Sequence, residues 1–547
     1  MMRRALWAVC VSLTVMLAAS CGPETPDAWN QPYELEGPVE AKGELIYLNQ
    51  TLEQLHILEP GKSNGSVDLT VSTVSTGKKP TKMALSPSKE SLYLVNSGDK
   101  SLSVYDLTSE DFSRSTVELD SAYDRITVDP AGEFVVLSFT GRSNSECIAC
   151  NLNEIAILDL RKGVPDQAKH VTLPKRAQDI VFADEFNLDG SKQRLAAALS
   201  PSQISLIDLQ ALMADNKDDG VREVPLTVSQ AEQIKQPKQA VFDVTPNSKS
   251  SNTISLYLLT VGGNDVTQVA IQPSARKESN LKFDLSVNQL AAGTNPSAMT
   301  ILDLPEAGTR LLTLDSRRPQ FHLVDVKSGE GSSFSLPLTS AASDLLVYNT
   351  VVSTTEGEKT ETRVLAWSRN SPLVAVIRPA SIAIADDNPT VGRSVEAIRL
   401  DSVPSSVRMD KSAERERALA LHGQQSGGFS VLNLQATENN AISIQGAALG
   451  DIEFAGPVAW GVFSGKPNFG KFNLETGHPT TYPLPSAGDD IFFDSEDGLI
   501  AVDHGRPEGE FTVIDINKAK ADETAKNARV FQGVFVQDLL QTEFPED

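Results

Sequence analysis

One pattern returns along this chain about every fifty residues, and it restricts the fold more than any other feature. Its clearest copy is KMALSPSKESLYLVNSGDKSLSVYDL, residues 82–107. An apolar strand leads into a Ser/Pro turn. A second apolar strand ends in Asn96, a tight turn follows, and a third strand ends in hydrophobic-Asp-hydrophobic. Alternation of period two within SLYLV and SLSVYDL marks strands, while SPSKE and NSGDK hold turn-forming residues. Second strands recur at 45–49, 92–96, 134–138, 194–200, 256–260, 310–315, 363–368, 417–422, 458–464 and 498–503. Third strands recur at 55–60, 104–107, 157–160, 206–209, 266–271, 323–326, 374–379, 431–434, 471–474 and 513–516. Asp106, Asp159 and Asp208 stand 53 and 49 residues apart, and Asn473 and Asp515 stand 42 apart. Such spacing suits four-stranded propeller blades joined by variable loops. The expectation is an all-β β-propeller over residues 44–547, built from ten repeat units of which five and nine are the least regular. Helical runs are expected to be few, with 517–528 and part of 208–216 the best candidates.

The ends of the repeat region look complementary. Unit one starts at its second strand, and GVFVQDLL at 533–540 reads as an orphan inner strand. Pairing the two would close a ring and remove exposed strand edges. Ten blades exceed the usual four to eight, so the sequence leaves one large ring and two fused rings both open.

The segment LYLVNSGDKSLSVYDL (92–107) resembles the YVTN family of bacterial and archaeal propeller repeats. TVDPAGEFVVLSF (127–139), with its Asp-Pro-x-Gly turn, is similar. The resemblance covers about three units and implies a fold more than a function. Members include surface-layer proteins and periplasmic propellers. A regular GH…WD signature is missing, which separates these repeats from the intracellular WD40-like class.

The chain opens MMRRALWAVCVSLTVMLAASC. Arg3 and Arg4 form a positive start, and Ala5 to Ala19 form an apolar stretch too short to span a bilayer comfortably, which takes ~20 residues. Small residues Ala18, Ala19 and Ser20 then precede Cys21. This resembles the lipobox of bacterial lipoproteins, although Ala18 stands where a larger aliphatic residue is usual. The resemblance implies a signal peptide at 1–20 and acylation of Cys21, with several acyl chains each contributing about 0.8 kcal/mol per buried methylene. Gly22 is not the Asp that favours inner-membrane retention, so the outer membrane is the expected location within the cell envelope. Residues 21–43, Pro-rich and acidic, read as a flexible tether.

The formal net charge is -24, with 40% hydrophobic residues. The apolar content excludes a disordered chain. The acidity argues against nucleic acid and against electrostatic attachment to anionic lipid. Membrane contact is therefore expected through the lipid anchor alone.

Cys10 leaves with the signal and Cys21 carries lipid, which leaves Cys147 and Cys150 in the long turn of unit three. In an oxidising compartment the pair is expected to form a local disulfide. A zinc site wants four ligands, and no second Cys or Cys-His pair is found. A redox C-x-x-C sits at a helix start, and no βαβ context surrounds this one.

His422 and His504 stand at second-strand ends in units eight and ten, where Asn96, Asp315 and Asp503 occupy comparable places. Arg317 lies in the turn after Asp315. Such ends approach one face of a propeller, so these six are the candidate lining of a mouth for a polar or anionic ligand. The competing reading makes them hairpin-turn residues facing water. The third-strand Asp residues are expected to bond their own turns, because they recur at one point of the repeat. DNKDDG at 215–220 lacks the ligand pattern of a calcium loop. No G-x-S-x-G, Walker A or H-E-x-x-H sequence is found, and no cofactor or metal is assigned.

These readings favour a lipid-anchored envelope propeller acting as a non-enzymatic binding scaffold, with an envelope protein or glycan as partner. Long insertions at 210–236, 245–254, 272–293 and 380–398 are the expected carriers of specificity. The alternative is a propeller-type hydrolase, lactonase-like, with a central metal held by Asp315, His422, Asp503 and His504.

Overall fold

A computed structural model describes residues 33–536 except 110, 142–149, 189–190, 215–219, 227–235, 245–253, 274–282, 306, 355–356, 385–393, 411–416, 424–426, 435–439, 445–446, 495–496 and 518–526. The chain lays down ten four-stranded antiparallel sheets in succession, each built outward from an inner strand. Blades 1 to 10 occupy residues 35–75, 80–118, 125–172, 179–225, 237–291, 296–335, 344–399, 404–444, 449–483 and 490–532. Blade 4 carries an extra hairpin, Phe186–Leu188 with Ser191–Gln193, between its first and second strands. Two short helices, Leu209–Ala214 and Pro379–Ile384, interrupt the sheets among the described residues.

Second and third strands are sandwiched between neighbouring blades and buried on both faces, which is why they read as nearly continuous apolar runs. In blade 2, every residue of the second strand after Ser91 is buried (Ser91–Asn96), as are the first five of the third (Ser101–Asp106). Outer strands have one wet face and stay polar, as in RSTVE of Arg114–Glu118.

The described core divides into ten apolar clusters, each lying between two consecutive blades. The tenth sets Leu499, Ala501 and Val513 of blade 10 against Leu45, Leu58 and Leu69 of blade 1. Ten interfaces for ten blades define one closed ring, so two fused rings are excluded.

The ring does not close by the expected exchange of a strand. Leu35–Ala41, placed in the tether on sequence, forms blade 1's own inner strand against Glu44–Asn49. Residues 533–536 of the proposed orphan strand form a turn, and the remainder, 537–540, lies outside the described residues. That turn wedges the seam: Val534 and Phe535 are buried, and their N–H groups donate to Gly509 O and Glu508 O. The Phe535 ring sits 5.0 Å from Tyr47 and 5.7 Å from Phe511. Tyr47 OH donates across the seam to Asp503 Oδ2 at 2.7 Å.

A hairpin of blade 1, Gln54–Ser63 with Ser66–Ser75, latches the other end of the seam. Its tip is closed by Asn64 and Gly65, both at positive φ (51° and 79°) as a tight type I′ turn needs. Lys62 Nζ donates to Asp497 O at 2.6 Å and lies 3.4 Å from Asp515 Oδ2.

Strand direction gives the ring two unlike faces. The chain enters blade 1 at Leu35 and leaves blade 10 after Gln532 on the same face, together with all turns between second and third strands. We call this the terminal face. The opposite, distal face receives the first-to-second and third-to-fourth connections. The long connections 183–194, 209–220, 244–253, 274–282, 378–394 and 516–527 all join strands there. The terminal face has two of comparable length, 139–153 and 226–236. On the distal face the hairpin Asp344–Thr354/Gly357–Trp367 of blade 7 also runs past its sheet, because only Val364–Trp367 of its second strand pair with the third. The insertions read from sequence shrink accordingly: 272–293 contains the outer strand Phe283–Ala291, and 380–398 contains most of Val395–Arg399.

Candidate functional site

The six residues of the proposed mouth all come to the terminal face, but five are buried beneath it. Asn96, Asp315, His422, Asp503 and His504 are between 0% and 8% exposed, and only Arg317 offers its side chain to solvent. For all but Asp503 the cause is a shared geometry. A residue at the second-strand end folds over the third strand toward the residue two beyond its register position.

In blade 2, Asn96 Nδ2 donates to Ser101 Oγ at 3.1 Å and Ser103 Oγ at 2.9 Å, and Oδ1 accepts from Gly77 N at 3.2 Å. In blade 8, His422 Nδ1 meets the Gly427 carbonyl at 3.2 Å and Nε2 meets Ser430 Oγ at 2.9 Å. A carbonyl only accepts, so Nδ1 carries the proton and Nε2 accepts from the Ser430 hydroxyl. Ser430 Oγ in turn accepts from Ser443 Oγ at 2.9 Å on the outer strand. Burial pushes the His422 imidazole below its ordinary pKa, consistent with a neutral ring. His504 repeats the pattern in blade 10, with Ala487 O at 3.0 Å and Thr512 Oγ1 at 2.7 Å.

Asp315 Oδ1 accepts from Arg317 N at 2.7 Å and Arg318 N at 3.1 Å, and its Oδ2 lies 4.0 Å from His322 Nε2. His322 Nδ1 meets Ser333 Oγ at 2.8 Å. Burial lowers the His322 pKa against the pull of Asp315. Carboxylate, imidazole and hydroxyl in line is the arrangement that activates a nucleophile. Here it occupies the same diagonal as Asn96–Ser103 and His422–Ser430–Ser443, and Ser333 is simply the register partner of His322. The line is this blade's version of a polar diagonal that recurs within several blades and holds their hairpins.

Asp503 accepts from Tyr47 OH and from Gly505 N at 2.8 Å, and burial raises its pKa. Its role is at the seam. The four residues nominated for a central metal are thus spread over blades 6, 8 and 10. Among the described residues no group of three His, Cys, Asp or Glu is placed to hold a metal ion.

The third-strand acids do what their recurrence suggested. Asp106, Asp159, Asp325 and Asp515 each accept from the backbone N–H two residues on, and Asp208 accepts from Ala211 N at the start of the first helix. Cys150 is disulfide-bonded. Cys147, Cys21, residues 1–32 and most of DNKDDG lie outside the described residues.

Sequence reasoning missed a cleft of about 260 Å³ on the distal face, between blades 2 and 3. The Ser86-Pro87-Ser88 turn, Ser91 and Tyr93 form one wall, Ala131 and Gly132 of the Asp-Pro-Ala-Gly turn another, and Leu160, Gly163 and Val164 the rim. Both turns were visible in the sequence. That consecutive units set them side by side was not.

No protein-family model matches the chain, and no curated protein matches it. The likeness to YVTN repeats therefore stands on residues 92–107 and 127–139 alone. Among solved structures, the chain is similar to dihydro-heme d1 dehydrogenase NirN, in complex with DHE. Identity is 11% over 85% of this chain and 81% of that one, with a TM-score of 0.36. It is also similar to apo AztD from Citrobacter koseri, at 12% identity over 68% and 87% and a TM-score of 0.31. A functionally unknown protein from Desulfotomaculum acetoxidans DSM 771 gives 12% over 64% and 92%, with a TM-score of 0.28. At these values none of the three bears on what this chain does.

Proposed function

We propose that this chain is a lipid-anchored propeller of the cell envelope that acts as a non-enzymatic binding scaffold and presents its distal face to an envelope protein or glycan. The observation that carries the reading is the one-sidedness of the ring. Long connections and the projecting blade 7 hairpin collect on the face opposite the chain's entry point at Leu35. A rigid ring that concentrates variable loops on one face is the usual arrangement of a binding surface. An acyl group on Cys21 would be joined to Leu35 by residues 22–34, a reach of at most about 45 Å at ~3.5 Å per residue. Such a leash leaves the terminal face turned toward the membrane and the distal face away from it.

Photo-crosslinking in cells tests this directly. A crosslinker at Val351 on the blade 7 hairpin (51% exposed) is expected to capture one dominant envelope partner. The same crosslinker at Val261, 58% exposed on the terminal face, is expected to capture lipid or nothing specific. Capture from Val261 with none from Val351 overturns the orientation. Retention of the Cys21→Ser variant in the membrane fraction overturns the anchor.

A further inference from the structure

We propose that the cleft between blades 2 and 3 binds a neutral hexopyranose unit of an envelope glycan. The inference rests on the distal face being the binding face and names its ligand chemistry. At about 260 Å³ the cleft is just below the ~300–1,000 Å³ range of drug-sized ligands, which suits a single ring. Its lining is chemically split. Ser88, Ser91 and Tyr93 bring hydroxyl groups, while Val104 and the rim residues Leu160 and Val164 bring apolar surface. No charged side chain belongs to that lining among the described residues. A pyranose has the matching division: hydroxyls at its edge and C–H groups on its faces.

The hydroxyls are also ordered. Ser86 Oγ accepts from Glu90 N at 3.1 Å and from Ser91 N at 3.0 Å, which uses both its lone pairs. Its own proton must therefore be the one directed at Ser88 Oγ, 3.2 Å away. Ser88, on the exposed tip of the turn, then accepts from Ser86 and keeps its proton to donate outward. A hydroxyl that already accepts a hydrogen bond is a better donor. Val164, in the same lining, is 40% exposed and sets an apolar surface at the rim. At Gly163 an added Cβ would meet nothing within 4 Å, so the rim there is open.

The test uses the purified full chain in a detergent without sugar headgroups. Saturation-transfer NMR is run with glucose, galactose, mannose and N-acetylglucosamine, and with glucuronate as the charged comparator. At least one neutral sugar is expected to bind. Ser88→Trp, which fills the cleft from an exposed turn, is expected to weaken that binding at least tenfold without moving the thermal midpoint. Val261→Ser, on the terminal face, is expected to leave it unchanged. The proposal is overturned if no neutral sugar binds at tens of millimolar, if binding survives Ser88→Trp, or if glucuronate binds more tightly than every neutral sugar. The Val351 crosslink separates the two readings. Its persistence without sugar binding removes the cleft proposal and leaves the scaffold, while its absence with sugar binding intact leaves the cleft and removes a protein partner at the blade 7 hairpin.

Discussion

His422 shows how a residue chosen for its chemistry is used as a fastener. A histidine at a strand end invites a ligand-binding role, yet both ring nitrogens are satisfied within its own blade, by Gly427 O and Ser430 Oγ. Sequence placed such residues on one face correctly, because period-two alternation and turn residues locate strand ends. It did not tell inward from outward, because the deciding partners, Ser430 and Thr512, lie eight residues downstream as unremarkable strand serines and threonines. The assignment has a consequence in pH. Burial holds the folded His422 pKa down, with the Gly427 carbonyl and then Asp401 pulling the other way, whereas the unfolded imidazole titrates near 6.5. Below about 6.5 the unfolded chain takes up a proton that the folded ring resists, so this contribution is complete above that pH and is lost as pH falls toward the folded value. His322 acts in the same direction. Urea midpoints are expected to fall between pH 7.5 and 5.5, with a shallower fall in His422→Gln. An unchanged slope in that variant refutes the assignment.

Among the strands, second and third ones were legible in every unit and outer ones in almost none. The difference is burial. Segments such as GSSFS of Gly331–Ser335 and PTTYP of Pro479–Pro483 lie at the rim and need no apolar pattern. Unit nine looked irregular for a different reason. Gly461 and Gly470 face each other across its sheet, and a Cβ on Gly470 would come within 2.5 Å of the Phe472 ring. The glycines make room for aromatic side chains, which breaks the aliphatic alternation. Gly470→Val is expected to destabilise by roughly 1–3 kcal/mol, as overpacking does, read from the denaturant midpoint at constant m. Inner strands hold the channel wall by polar side chains that reach the next blade. Gln239 is the fullest case: Nε2 donates to Met299 O at 2.9 Å and Oε1 accepts from Met299 N at 3.0 Å, so the amide of blade 5 pairs with blade 6 as a strand would. Gln239→Leu leaves two backbone groups without partners and is expected to cost about 1–3 kcal/mol. The Lys82–Glu36 pair between blades 2 and 1 is half exposed at its lysine and is expected to contribute less than ~1 kcal/mol. Thermal scans of Gln239→Leu and Lys82→Ala side by side check the ranking.

The whole molecule depends on a seam that no linker crosses. Nine blade interfaces are joined by a connecting loop. The tenth rests on the Phe535 wedge, the Tyr47–Asp503 hydrogen bond and the Lys62 latch. Phe535→Ala is expected to cost about 3–5 kcal/mol, the range for a buried aromatic. Faster hydrogen exchange is expected in Glu44–Asn49 and Leu499–Asp503 before any other blade. Uniform exchange around the ring would show that the seam is no weaker than its neighbours. The position of that seam also sets a clock. Tyr47 and Asp503 are separated by 456 residues. At ~5–20 residues per second of synthesis, roughly half a minute to a minute and a half passes between the appearance of one and the other. Blades 2 to 9 can each dock on a predecessor as they emerge. Blade 1 cannot: the face bearing Leu45, Leu58 and Leu69 has no mate until the last strand and the Phe535 turn are made. The first blade synthesised is therefore the last to mature, and its bare apolar side is the surface a holding chaperone would have to cover in the interval.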